Sequence, residues 1–485
     1  MKKGTIIKYV LITFVTVVIG ILIGKNGVPV AGAVMAIPFA IAFLILFFNN
    51  LKVGIYFVLV MSFILPILGR YVPSGIPYGL GVDIMLVLSY FIIAFKHWKK
   101  TNFTLAANEV VLLMTVWMGY IFLQVGNPNA YSFEAWFYSM RGVALYQFLL
   151  IPLCFILFNT KKDWYRFWNV WLGFSVLGIL WAIKQKAFGV DSFEQRWLDE
   201  GASVTHMLWG QLRIFSFYYD AGTFGAAMGQ ISIMTAIMLL GPANWKKKIF
   251  YAGLSGAAFI ALVLSGTRGA LAVPGIGGIL YLIMTRNFKV LSIGGGILLA
   301  GFIFLKFTTV GNANYDINRL RTALDPNDPS LNTRLRNRAR LTEYLRGKPF
   351  GGGMGTVGSW GQRFSPGTWL ANFEPDGLYT RIRAETGLVG RVFYVGMWIF
   401  ILARGIGFLW SFEDEERQNI AMAILAGYAG ILVANYGNAV LTQFPISITT
   451  FIGICFVYNM RYWDYKGDFK FENKPTPLMG RDPEL

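Results

Sequence analysis

Apolar residues run along this chain in blocks of roughly 20, the length a helix needs to cross the hydrocarbon core of a bilayer. About fourteen blocks are expected, at 6–24, 28–48, 54–69, 79–95, 107–125, 142–158, 165–183, 217–240, 249–266, 268–285, 288–309, 388–408, 418–436 and 443–460. The third is short, and 249–266 almost abuts 268–285. The pattern predicts an all-α polytopic membrane protein. Helices 1–11 occupy residues 1–309, a long loop with short helices covers 310–387, helices 12–14 cover 388–460, and a tail covers 461–485. The first block follows Lys2, Lys3 and Lys8. A cleaved signal peptide would share that charge, but the block is long for one and lacks a clear small-x-small site, so a retained helix is expected.

Composition agrees with this pattern. The chain has 485 residues, 55% hydrophobic and 14% charged, against about 25% charged in soluble domains. Cys154 and Cys455 lie inside apolar blocks and read as small buried hydrophobes. With two histidines, His97 and His206, a His-rich metal site is not expected. Alternating sides from a cytoplasmic N-terminus places Lys52, Lys96, Lys99, Lys100, Lys161, Lys162, Lys246, Lys247, Lys248, Arg286, Lys289, Arg404 and Arg417 in cytoplasmic connections, with a basic tail. Every short inner connection is then basic, as the positive-inside rule requires. An even span count puts both termini in the cytoplasm. Membrane topology thus accounts for part of the net charge of +18, and nucleic-acid binding is not inferred. Trp98, Trp164, Trp168, Trp209, Trp245 and Trp463 fall near block ends, where tryptophan anchors helices at the interface.

The long loop falls outside and carries ten arginines: Arg319, Arg321, Arg334, Arg336, Arg338, Arg340, Arg346, Arg363, Arg381 and Arg383. Guanidinium forks match phosphate geometry, so an anionic substrate is expected there. Charges near the spans gather on the same side: Asp83, Arg141, Arg213, Asp220, Arg268, Asp376, Arg381, Arg383 and Arg391, with Glu109 the exception. Each could merely snorkel, but basic residues from several segments at one depth argue for a site. A transporter would place charges and broken helices nearer the midplane; here the midplanes are apolar. Chemistry at the outer surface, on an anionic, lipid-anchored molecule, fits better.

Three stretches carry further information: Leu212-Arg-Ile-Phe-Ser-Phe-Tyr-Tyr-Asp220-Ala-Gly-Thr-Phe-Gly225; Leu264-Ser-Gly-Thr-Arg268-Gly-Ala-Leu271; and Pro349-Phe-Gly-Gly-Gly-Met-Gly355 followed by Pro375-Asp-Gly-Leu-Tyr-Thr-Arg-Ile-Arg-Ala-Glu-Thr-Gly-Leu-Val-Gly390. In this order, with a long outer loop before the last spans, they resemble the O-antigen ligase and polymerase family over about residues 205–395. The resemblance implies a GT-C-like membrane glycosyltransferase of the bacterial cytoplasmic membrane, with no metal and no cofactor. It would take a glycan from a polyprenyl (undecaprenyl) pyrophosphate donor and pass it to a hydroxyl of a glycan or glycolipid acceptor, among membrane lipids. By the same resemblance Arg213 and Arg268 would hold the pyrophosphate, whose negative charge grows as the anomeric C–O bond breaks. A transporter or flippase of lipid-linked sugars is the alternative.

The family's ligases carry a His-Asn or His-Ser pair, nine residues, then Gly-x-x-Gly. Counting back from Gly387 places Asp376 and Gly377 there, so the ligase histidine is absent. Asp376 is the candidate general base toward the acceptor hydroxyl, with Glu374 as a nearby substitute; its plainer role is to cap a helix starting near Leu378. Arg381 and Arg383 cannot share one helix face. Arg383 is nearly in phase with Asp376 but about 10 Å further along the axis; Arg381 is nearer and faces elsewhere. With Asp220 these are possible supporting residues. His206 could donate to a phosphate, although a lone loop histidine is usually incidental. Over Leu331 to Arg346 the spacing predicts a helix with Leu331, Leu335, Ala339 and Thr342 on one side, either solvated above the site or a lid on it. Gly351 to Gly355 could offer amides to a phosphate; a hinge is the better expectation.

Overall fold

The computed structural model describes residues 28–463 apart from 73–77, 209, 313–314 and 323–328, together with Gly20, Ile21 and Gly24. The block at 6–24, the tail beyond residue 463, and Trp209 therefore lie outside the described residues. Among the described residues, eleven helices are long and apolar enough to span a membrane. They are α2 (Lys52–Tyr71), α3 (Leu80–His97), α4 (Glu109–Gly126), α5 (Phe133–Leu157), α6 (Lys161–Phe188), α7 (Ala221–Leu240), α8 (Trp245–Leu264), α9 (Arg268–Thr285), α10 (Phe288–Phe307), α14 (Leu378–Leu409) and α15 (Glu415–Ala434). Each matches an expected block.

Two expected spans are less complete. Helix α1 (Val28–Asn49) covers the second block, with Met35–Asn49 as its apolar stretch. Helix α16 (Ile446–Asn459) begins after Pro445 and has 14 residues, all buried, too few to cross a bilayer alone. The chain is a polytopic α-helical membrane protein, with one departure from all-α among the described residues. Met207–Leu208 (β1) and Gln211–Leu212 (β2) form a small antiparallel hairpin.

Polar contacts sort the helix ends into two sets. At one end Lys52 pairs with Asp163 at 2.7 Å, Lys161 with Glu416 at 2.5 Å and Arg404 with Glu109 at 3.3 Å. Lys96 there donates to the Phe48 carbonyl at 2.8 Å. At the other end Arg141 pairs with Asp83 at 2.7 Å, Lys184 with Asp191 at 2.8 Å and Arg381 with Glu385 at 3.3 Å. Successive helices alternate between the sets, as the lysine pattern predicts. Three tryptophans depart from the interfacial reading: Trp463 is buried as well as Trp164 and Trp168. Trp164 and Trp168 are fully buried and stack on each other, 5.5 Å between ring centroids. In a bundle this wide, a ring one turn inside a helix end meets another helix rather than headgroups.

Helices α7 and α15 are the most enclosed, and small residues explain how closely they pack. A Cβ on Gly229 would lie 2.8 Å from Leu262 and 3.1 Å from Pro274; one on Gly430 would lie 2.4 Å from the Val273 carbonyl oxygen. In hydrocarbon, where burial against a neighbour brings little hydrophobic gain, close backbone approach is what holds helices together. It also fixes their register, which sets the start of α7, the start of α9 and the end of α15 side by side.

The arginine-rich segment contains α11 (Tyr315–Arg321), α12 (Pro329–Tyr344) and α13 (Gly358–Phe364). Helix α14 starts at Leu378, ten residues before the expected span, and breaks at Gly387 (φ 72°, ψ −166°). The break frees backbone groups that Pro349 to Gly353 then satisfies. Gly352 N–H donates to Ala384 at 2.9 Å, Gly353 N–H to Glu385 at 2.9 Å, and Val389 N–H to Pro349 at 3.4 Å. These glycines are therefore a packed strap and not a hinge. The Gly352 and Gly353 amides are spent on α14 and that of Gly351 on the Lys348 carbonyl, and a Cβ on Gly353 or Gly355 would lie 2.6 Å from Ala130 or 2.2 Å from the Ala135 carbonyl oxygen.

Candidate functional site

The site starts from the turn between α8 and α9. Gly266 adopts φ 57° and reverses the chain so that Thr267 and Arg268 open α9. Arg213 lies along this turn: its guanidinium donates to Thr267 Oγ1 at 2.8 Å and to the Thr205 carbonyl at 2.9 Å. Arg319 of α11 reaches the same turn and donates to the Gly266 carbonyl. Arg268 donates to Thr322 Oγ1 at 3.3 Å. Arg213 and Arg319, from separate segments, thus hold the turn from which Arg268 extends to Thr322. Arg213 and Arg268 were anticipated from the sequence; Arg319 was anticipated only as one of ten loop arginines.

Beneath Arg268 lies an apolar groove of about 550 Å³. Leu271, Ala272, Pro274 and Gly275 of α9 line it, with Phe259 of α8 and Ile297, Leu298, Gly301, Phe302 and Leu305 of α10. Its polar rim is Arg268, Thr322 and Arg334. A second groove of about 520 Å³ runs between α9, α14 and α15, from Tyr379 and Tyr436 to Ile283 and Leu402. Arg338 stands 3.8 Å over the Tyr436 ring and donates to the Tyr436 carbonyl at 3.1 Å.

Helix α12 carries Arg334 and Arg338 one turn apart, and this corrects its expected orientation. Leu341 and Leu345 are buried, while Leu335 is half exposed. Arg334, Arg338 and Leu341, with Leu345 just beyond the helix, form the packed side and Leu331 lines the first groove, whereas Leu335, Ala339 and Thr342 are exposed. Both kinds of contact decide the face: Leu341 and Leu345 bury against Val357, Leu370 and Phe373, while the guanidiniums find a carboxylate, a carbonyl and an aromatic ring.

Asp376 lies 3.9 Å from Arg334 (Oδ1 to Nε), and each side chain is about one-third exposed at 32%. It is therefore next to the rim of the first groove. It does not cap α14, since Gly377 holds the cap position with φ 92° and no side-chain bond. Glu374 is exposed. Asp220 caps α7, accepting from Thr223 N–H at 2.7 Å and from Gln443 at 3.4 Å. A Cβ on Gly222 or Gly269 would lie within 3.5 Å of Asn438, so the ends of α7, α9 and α15 are in contact.

Arg381 and Arg383 diverge, as their spacing requires. Arg381 turns away to Ser139 at 2.8 Å and to the fully buried Glu385. That cluster ties α14 to α5 and is not part of the groove. Arg383 is half-buried and makes no hydrogen bond or ion pair among the described residues. His206 is not on the surface. It is buried against Trp197 and Phe215; its Nδ1–H donates to the Ala202 carbonyl at 2.9 Å while Nε2 accepts from Ala221 N–H at 3.3 Å. Burial, with Arg213 and Arg70 nearby, lowers its pKa against the opposing pull of the Ala202 bond and Asp220. Its role is to satisfy the first amide of α7.

Arg70 escaped the sequence reading. It is buried and grips the segment between Arg213 and Asp220. A signal existed: an arginine at the outer end of an apolar block, where the positive-inside rule leaves cations scarce. Among the described residues no three His, Cys, Asp or Glu side chains gather as a metal would require. No family model and no curated protein sequence matches the chain.

Proposed function

We propose that this protein is a bacterial membrane glycosyltransferase that moves a glycan from undecaprenyl pyrophosphate to an acceptor hydroxyl at the extracytoplasmic face of the cytoplasmic membrane. The observation that carries the reading is Arg268 at the rim of an apolar groove with Arg334, opening from a turn that Arg213 and Arg319 both hold. An isoprenoid chain suits the groove, and a diphosphate suits guanidiniums at its rim. The order of the three sequence stretches, like that of the O-antigen ligase and polymerase family, supports it further.

In this reading the acceptor oxygen attacks the anomeric carbon, its proton passes to a carboxylate, and the C1–O bond breaks with its electron pair going to the diphosphate. Arg268 and Arg213 stabilise the charge that develops on the leaving group. Asp376, held beside Arg334, is the candidate base. Arg383 and Asp220 are better cast as supports than as reacting groups. The second groove, headed by Arg338 and Tyr436, favours an acceptor that itself carries a lipid chain.

Reconstitution of the purified protein with lipid-linked donor and acceptor tests the proposal. Release of polyprenyl pyrophosphate with a longer glycan is expected; movement of donor between leaflets with no new glycosidic bond would instead make it a flippase. Arg268→Ala and Arg213→Ala are expected to abolish release while the protein stays folded. Undiminished release in both would remove them from the site.

A further inference from the structure

Arg213 and Asp220 flank one tight turn, and the shape of that turn is costly. Ser216 sits at φ 53°, a conformation uncommon for a side chain other than glycine, asparagine or aspartate. Such strain persists when surrounding contacts over-determine it. Two sets of contacts do so here. Gln185 of α6 accepts from Ser216 N–H at 2.8 Å and donates to its carbonyl at 3.3 Å, while Ser216 Oγ donates to Gly178 at 2.8 Å. Gln185 is itself fixed by the fully buried Glu194 at 2.7 Å.

The second clamp is Arg70 at the end of α2. Its guanidinium donates to the Ser216 carbonyl at 3.0 Å, to Tyr218 and to Tyr219 at 3.1 Å. It lies between the rings of Trp197 at 4.3 Å and Phe215 at 4.6 Å. No carboxylate pairs with it among the described residues, and it is only 5% exposed. Burying a cation for hydrogen bonds to carbonyls alone is expensive, and a lysine could not reach three acceptors in one plane.

We propose that Arg70 is a positioning residue for Arg213. It holds the 213–220 turn so that the Arg213 guanidinium meets Thr267 beside Arg268. The inference rests on the diphosphate role given to Arg213 above, and it concerns a residue from a helix outside the three family-like stretches. Arg70 does not touch the groove, so its effect must pass through the turn.

The test uses the full-length protein in lipid nanodiscs with undecaprenyl pyrophosphate as the probe. Arg70→Lys is expected to weaken binding about tenfold, the scale of one lost charged hydrogen bond. Combined with Arg213→Ala, it should add less than about twofold beyond Arg213→Ala alone, because both act through one group. Gln185→Met, which loosens the other clamp, should weaken binding in the same direction. Backbone amides of residues 214–219 should exchange hydrogen faster in Arg70→Lys, with α15 unchanged. Independent, multiplying losses for Arg70→Lys and Arg213→Ala, or unaltered exchange in the turn, would overturn the proposal. Should Arg70→Lys fail to fold, unchanged affinity and exchange in Gln185→Met would do so. Wild-type affinity in Arg213→Ala would instead overturn its diphosphate role, and with it the use proposed for Arg70.

Discussion

Replacing Gly387 by alanine should detach the glycine strap from α14. Two independent terms set the size of the effect. At φ 72° and ψ −166° the backbone lies where side chains are strained by about 1–3 kcal/mol. The new Cβ would also stand 2.0 Å from the Pro349 carbonyl oxygen and 2.5 Å from Gly351 N. Both are backbone atoms, so no rotamer change relieves the contact and the strap must move. Movement breaks the Gly352–Ala384 and Gly353–Glu385 bonds, at about 1 kcal/mol each. Together the loss is about 3–5 kcal/mol. Reversible unfolding of the purified protein in mixed micelles measures it, with Gly396→Ala as control. Gly396 lies in the same helix with nothing within 4 Å of an added Cβ, so that variant should match or slightly exceed wild-type stability. Equal stabilities for the two alanine variants would refute the claim that the strap and the break are one unit.

Arg334→Ala should leave stability within about 1 kcal/mol of wild type, since its pair with Asp376 is long and about one-third exposed, yet weaken undecaprenyl pyrophosphate binding about 10- to 100-fold; calorimetric melting and a binding titration report the two separately. Asp376→Asn should abolish glycan transfer while donor binding changes less than about threefold, and retained turnover would remove Asp376 as the base. His206 gives a pH prediction. Its pKa is lowered by burial, so the unfolded chain binds the extra proton first. The stability it contributes is complete above its ordinary pKa of about 6.5 and falls as pH drops below that. Melting temperatures from pH 7.5 to 5 should fall less steeply in His206→Gln than in wild type.

The spans were legible because crossing a bilayer imposes one length and one polarity, whatever the packing. The start of the helix at Leu378 and the span of α12 were legible for similar local reasons. The packed side of α12 was not. Its leucines predict one face, but Arg334 and Arg338 find Asp376, Thr380 and Tyr436, and those partners lie more than 35 residues away in sequence. Gly351 to Gly355 was misread because glycine serves freedom and close contact equally. Its neighbours, Ala130, Ala135 and the Gly387 break, decide between them. Ser216 gives no hint of its positive φ in sequence, since that angle is imposed by Arg70 and Gln185.

The convergence of Arg213 and Arg268 has a cause that lies away from both. Arg213 lies in the segment leading into α7 and Arg268 opens α9, and these helices touch through glycines that leave no room for a shifted register: Gly225 meets Ser265 and Ala270, and Gly229 meets Pro274 and Val273. A one-turn slip would drive side chains into backbone and separate the two arginines by about 5 Å. The guanidiniums repel each other, so proximity is not something they supply themselves. It is imposed by packing in the bundle and by hydrogen bonds to Thr267, Thr205, Thr322 and, from Arg319, the Gly266 carbonyl. Cations gathered beside an apolar groove, with Arg268 and Arg334 on its rim, form an arrangement that an anionic headgroup with a hydrocarbon tail would relieve.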